Sequence, residues 1–118
     1  MADITMIRGD TKVVSLTPYR DDEPIVLSDG DILHFRIFDN NEEVIISKDV
    51  TADNQDSDSY AILVTLDAAD TESIEITKEC IFHWEAEIVF ADGSVLTPFY
   101  DRTLLIKPDK ITPDKRGD

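Results

Sequence analysis

Two histidines, one cysteine and several groups of acids are the side chains in this 118-residue chain that could do chemistry. His34 and His83 each fall on the polar side of an alternating stretch, and Cys80 falls on the apolar side of the stretch that carries His83. A zinc site needs three or four convergent ligands. The histidines therefore read as exposed strand residues, and no metal is expected. Asp53, Asp56 and Asp58 share one polar segment and could offer calcium hard oxygen ligands. Their spacing lacks the alternation, the glycine and the bidentate glutamate of an EF-hand loop, so the segment reads as a solvated loop. Glu85 and Glu87 sit about 7 Å apart on one strand face, which suits a wet surface as well as an acid/base pair. The chain contains no Gly-x-Ser-x-Gly turn, no phosphate-cradling glycine loop and no His-Glu-x-x-His helix. No enzyme activity, catalytic residue or cofactor is expected.

Arg8-Gly9-Asp10 spells a tripeptide that some integrins read. Three letters specify little, and the structural reading is a bulge or kink at Gly9, where a missing Cβ is useful.

The elements that carry these residues are strands. Phe82, Trp84, Ala86, Ile88 and Phe90 occupy every second position, with His83, Glu85 and Glu87 between them. That period of two gives one apolar and one wet face. It places Trp84 at the centre of the core, with Phe82 and Phe90 expected nearby. Asp92-Gly93 in the segment Ala91–Ser94 predicts a two-residue type I′ turn. Cys80 to Ile106 is then one long hairpin.

Ile4–Arg8 and Lys12–Tyr19 read as two short strands, or one strand broken at Gly9. Val14 and Leu16 share a face opposite Val13, Ser15 and Thr17. Residues 19–24 end in Pro24 and read as a loop tip, and Ser28-Asp29-Gly30-Asp31 as a turn after the apolar run 25–27. Leu33, Phe35 and Ile37 oppose His34 and Arg36 on the next strand, and residues 39–42 turn the chain into 43–50. Residues 51–59 form the expected mobile loop. Tyr60, Ile62, Val64 and Leu66 alternate again. A short helical turn is expected near 67–73, with Asp67 as its cap and Asp70 and Glu72 at the positive end of its dipole.

The fold class that follows is all-β: an antiparallel sandwich of about seven strands, with turns every eight to twelve residues. Residues 1–107 make a single domain and 108–118 a flexible C-terminal tail. One cysteine excludes an intramolecular disulfide. No stretch approaches the roughly 20 apolar residues of a membrane span, and residues 1–8 do not read as a signal peptide, so a soluble chain is expected. The 26 acidic residues outnumber 11 basic ones, for a net charge of −15. Binding nucleic acid or anionic lipid needs cations that displace counterions, so neither is an expected partner. The excess acid reads as a solubility device that suppresses edge-to-edge association.

Several short motifs recur in a fixed order: Gly9-Asp10-Thr11 after the first strand, Leu27-Ser28-Asp29-Gly30-Asp31, Asp70-Thr71, Phe82-His83-Trp84, an Asp-Gly hairpin, Leu104-Leu105-Ile106 and Ile111-Thr112. In this order they resemble the small immunoglobulin-like β-sandwich of tail and baseplate proteins of phages and prophages of Gram-positive bacteria. The chain is similar to the N-terminal domain of baseplate upper proteins over residues 4–112. The pattern departs from that family at Asp101-Arg102, where a glycine usually precedes the last strand, and at the bulky Phe99-Tyr100. The resemblance implies an immunoglobulin-like fold and a virion structural role in a tail or baseplate. Its partners would be other phage structural proteins, with self-association into homo-oligomers, and assembly would take place in the bacterial host cytoplasm. It brings no catalytic residues. Pro98, Phe99 and Tyr100, with the edge at Ile4–Arg8, are the candidate interaction surface. The alternative is a host-encoded immunoglobulin-like module that binds a protein, a carbohydrate or calcium.

Overall fold

The computed structural model describes residues 3–110. The Ile111-Thr112 motif and most of the expected tail lie outside them. Among the described residues nine strands form: β1 (Ile4–Ile7), β2 (Lys12–Leu16), β3 (Tyr19–Arg20), β4 (Glu23–Pro24), β5 (Ile32–Phe38), β6 (Val44–Val50), β7 (Ile62–Leu66), β8 (Cys80–Val89) and β9 (Val95–Lys107). A 3-10 turn at Ala52–Asn54 and a one-turn helix α1 (Ala68–Glu72) complete the described elements. The protein is mostly β, and the helical turn stands where the sequence put it.

Five strands make one sheet in the order β1-β9-β8-β5-β6, while β2 pairs with β7 and β3 with β4 in two-stranded ribbons. The sheet is mixed, which corrects the expectation of a wholly antiparallel fold. β1 runs parallel to β9, with Ile4 opposite Leu104 and Ile7 opposite Lys107. The cause lies at Arg8-Gly9. Gly9 has a φ of +85°, and the Asp10 N–H donates to the Ile7 carbonyl at 3.1 Å. This is a tight turn with glycine at its third position, so of the bulge and the kink read at Gly9 the structure has the kink. It releases the chain from the large sheet, so β2 joins β7 instead of continuing beside β9.

Alternation decides what is buried. Leu33, Phe35 and Ile37 of β5, Phe82, Trp84, Ala86 and Ile88 of β8, and Leu104 and Ile106 of β9 face inward. Val14 and Leu16 of β2 and Ile62, Val64 and Leu66 of β7 join them in one core. Trp84 is only 3% exposed, and its indole N–H donates to the Thr103 carbonyl at 3.1 Å. Its aromatic neighbours are Phe35, at 5.3 Å between ring centroids, and Phe99, at 5.6 Å. Phe82 lies on the same face, but Phe90 sits at the strand end beneath the Arg20 guanidinium. Phe35 and Phe99 both stand opposite Ala86 and reach Trp84 diagonally across the strands, whereas Phe90, six positions along, lies too far away to join them.

The type I′ turn expected at Asp92-Gly93 is found elsewhere. At residues 90–94 the Gly93 N–H donates to the Phe90 carbonyl and the Phe90 N–H to the Ser94 carbonyl, both at 2.8 Å. Gly93 has positive φ and Asp92 does not. This is a three-residue loop with glycine at the bulge position, not a type I′ turn. The Asp92 carboxylate accepts from the Ser94 N–H at 2.8 Å, and this bond holds Asp92 out of the left-handed region. Between β3 and β4, by contrast, Asp21 and Asp22 take φ values of 52° and 66°, as a two-residue I′ turn requires. The loop tip read from the sequence is thus a small hairpin.

Asp31 links two turns. It is buried, accepts from the Ser28 N–H at 2.7 Å, and accepts from the Ala91 N–H at 2.9 Å. Gly30 beside it has a φ of +92°, and a Cβ there would stand 2.9 Å from the Ala91 Cβ.

Two outcomes test this packing. Trp84→Ala is expected to cost about 3–5 kcal/mol in urea unfolding; a loss under about 1 kcal/mol would remove Trp84 from the core. Gly30→Ala is expected to cost about 1–3 kcal/mol through backbone strain and the clash with Ala91. Adding Ala91→Gly should recover only the steric share. A Gly30→Ala protein as stable as the parent would disprove the contact.

Candidate functional site

The inner sheet face is filled with core, so any site on this sheet must lie on its outer face or edges. The outer face carries His34, Arg36 and Phe38 from β5, His83, Glu85 and Glu87 from β8, and Asp49 from β6. Register sets the rows: Asp49–His34–Glu87, then Ser47–Arg36–Glu85, then Phe38–His83.

A β-bulge builds the first row. The turn pairs Asp39 with Glu43, since the Asp39 N–H donates to the Glu43 carbonyl at 3.0 Å. Extended without a bulge, that pairing would set His34 against Lys48. Ile45 is instead an extra residue between Ile46, opposite Ile37, and Val44, opposite Phe38. The one-residue shift places Asp49 opposite His34. His34 Nδ1 lies 2.7 Å from the Asp49 carboxylate and Arg36 Nη1 2.8 Å from the same oxygen. Arg36 also donates to the carbonyls of Phe35 and Lys48 at 3.0 and 3.1 Å. Nδ1 cannot both donate to Asp49 and accept from Arg36 Nη2, 3.3 Å away. The shorter, charge-assisted contact places the proton on Nδ1. The His34 hydrogen bond, aided by Arg36, holds the Asp49 carboxyl below its ordinary range against a smaller opposing effect of burial. Asp49 and Arg36 are therefore committed to each other.

Two open depressions adjoin this cluster. One, of about 350 Å³, is lined by His34, Arg36, Phe38, Glu85 and Glu87. The other, of about 510 Å³, continues past Phe38 and Glu85 to His83, Tyr100, Asp101 and the 39–42 turn. Glu85 and Glu87 make no ion pair among the described residues.

The three residues read as an interaction surface are divided by the strand that holds them. β9 slips register twice against β8, between the Trp84–Arg102, Ala86–Phe99 and Ile88–Leu96 pairs. Pro98, which has no N–H to give the ladder, lies within the second slip. Phe99 is half-buried against Trp84, with the Arg102 guanidinium 5.8 Å from its ring centre. Tyr100 turns outward, 70% exposed, into the larger depression. Asp101 follows with a φ of 51°, the conformation a glycine at that position would adopt freely.

The other candidates have local roles. In the acidic loop the Asp56 carboxylate accepts from the Ser59 hydroxyl at 2.6 Å and from the Ser59 N–H at 3.2 Å. The Ser59 hydroxyl is the main reason its carboxyl is held low. Gln55 bonds the Leu27 N–H and the carbonyls of Ile25 and Tyr60. The segment expected to be mobile is thus held by hydrogen bonds to itself and to residues 25–27. No three His, Cys, Asp or Glu side chains converge as metal ligands among the described residues.

Arg8 is spent on the fold. It donates to the Glu72 carbonyl, to the Ile74 carbonyl at 2.6 Å and to Asp109 at 3.0 Å. The Gly9 N–H donates to the Thr71 hydroxyl oxygen at 2.7 Å. With 19% of its side chain exposed, Arg8 cannot offer a free guanidinium to an integrin-type receptor without breaking these bonds. No protein-family model matches the chain, and no curated protein matches it.

The lowered Asp49 carboxyl has a definite sign. Its ionised form is the one the fold favours, so its stabilisation is fully present above the ordinary value of 3.8 and fades as pH falls through the native value. The stability gap between the parent and Asp49→Asn should persist through mildly acidic pH and close only below about pH 4. A gap that widens on further acidification would contradict the geometry.

Proposed function

We propose that this chain is a structural and interaction module of a phage or prophage particle, placed in the tail or baseplate and acting through protein–protein contacts. In this reading the mixed sheet and its covering ribbon are an immunoglobulin-like sandwich, the partners are other structural proteins of the particle, and assembly takes place in the bacterial host cytoplasm. The order of the short motifs along the chain supports it. So does their meeting in space, since Gly9 bonds Thr71 and the Gly30-Asp31 turn rests on Ala91.

The observation that carries the interaction role is the free β1 edge and the apolar strip beside it. Among the described residues β1 is paired on one side only. Outward of it Thr5, Leu105 and Ile81 stand in one row across three strands. Ile81 is 53% exposed, and Ile7, next along the β1 edge, 44%. An unpaired strand is a template for another strand, and aligned apolar side chains give it area to bury. The second reading, a host-encoded binding module, is favoured by the aromatic depression at Phe38 and Tyr100.

Two measurements separate these readings. Sedimentation across a salt series is expected to show association that tightens as salt screens the net charge of −15. A strict monomer at every salt and at high concentration would leave contacts with other proteins only. Gold-labelled antibody against the chain should decorate the tail end of particles induced from the host; particles free of label, with the protein elsewhere in the cell, would sink the virion reading.

A further inference from the structure

The larger depression on the outer face has a composition distinct from the rest of that face. Phe38 and Tyr100 supply its aromatic surface, and Asp39, Glu42, Glu85 and Asp101 its charge, with no lysine or arginine in the lining. Asp39 is occupied by the N–H groups of Asn41 and Glu43. Glu42 and Glu85 have no ion pair among the described residues, and Asp101 has only His83, at 3.5 Å. That His83 atom, Nδ1, is buried and makes no hydrogen bond among the described residues, the Asp101 carboxylate lying too far for a good one. Such an atom costs free energy unless something else satisfies it.

The backbone around the depression is arranged to expose Tyr100. The first register slip leaves Tyr100 and Asp101 together opposite Glu85, with Tyr100 on the face opposite Phe99 and Asp101 in the left-handed region. Glu42, on the opposite rim, also has positive φ, at 63°. Two non-glycine residues in this conformation flank one depression.

We propose that this trough receives an arginine-bearing segment of a partner protein. A guanidinium is planar, so it can lie on an aromatic face and still fork its N–H groups to carboxylates beside the ring. Tyr100 and Phe38 provide the faces, and Glu85, Glu42 and Asp101 the acceptors. The excess acid of the chain draws such a segment in at a distance. The inference stands whether or not the chain belongs to a particle.

The test is a backbone NMR titration of the full chain with a short capped peptide of alternating glycine and arginine, at constant ionic strength. Shifts are expected to concentrate at Phe38, His83, Glu85 and Tyr100, with the lysine version of the peptide binding more weakly. Tyr100→Ser and Glu85→Gln should each weaken binding about fivefold, as loss of about 1 kcal/mol implies. Glu23→Gln, on β4, should leave it unchanged. Both tested side chains point outward, and an unaltered Trp84 emission spectrum would show that the variants fold. Shifts spread evenly over all acidic segments, equal binding of both peptides, or full affinity in Tyr100→Ser would overturn the proposal. So would a malto-oligosaccharide that moves the same amides while the arginine peptide moves none.

Discussion

The inward row of β8 fixes most of this molecule. Strand residues alternate faces, so a slip of one position would turn Phe82, Trp84, Ala86 and Ile88 to water and bury His83, Glu85 and Glu87. Burying three such polar side chains without partners costs far more than any local turn preference can offset. β5 and β9 must therefore meet β8 in the registers seen, and turns and bulges adjust around them. Asp31 helps to hold that arrangement at one pole, where its carboxylate joins the turn before β5 to the loop after β8. Arg8 does the same at the other, joining β1, the exit from α1 and the residues after β9.

The strands other than β3 and β4, their inner faces and the helical turn were legible because period two and a capping pattern are local properties of the chain. Turn types were less legible, because Asp21-Asp22 and Asp92-Gly93 differ in what their side chains and flanking strands demand. Asp92 has Ser94 to bond; Asp21 and Asp22 must close a hairpin whose strands are two residues long. The parallel pairing of β1 with β9 joins residues a hundred positions apart and depends on one turn at Gly9. No window of sequence contains both partners.

The outer-face features were hidden for a related reason. His34 and Asp49 face each other only because Ile45 is an extra residue in β6, and Tyr100 and Asp101 stand together opposite Glu85 only because β9 slips against β8. Bulges leave almost no mark in composition, yet each re-aims a side chain. Asp101 is the one hint that lay in plain view: it occupies a position where glycine would be free of strain.

The pairing of first and last strands also decides how the domain meets mechanical load. Because β1 and β9 run in the same direction side by side, a pull on residue 3 and on residue 110 draws the two strands along their length in opposite senses. The hydrogen bonds between Ile4–Ile7 and Leu104–Lys107 are then loaded together in shear, not opened one after another like a zipper. A chain stretched between its ends would meet this four-residue clamp before the core feels any force. Single-molecule stretching would show it as one abrupt rupture, and a gradual, low-force peeling would contradict it. An antiparallel pairing of the same two strands would have peeled from one end.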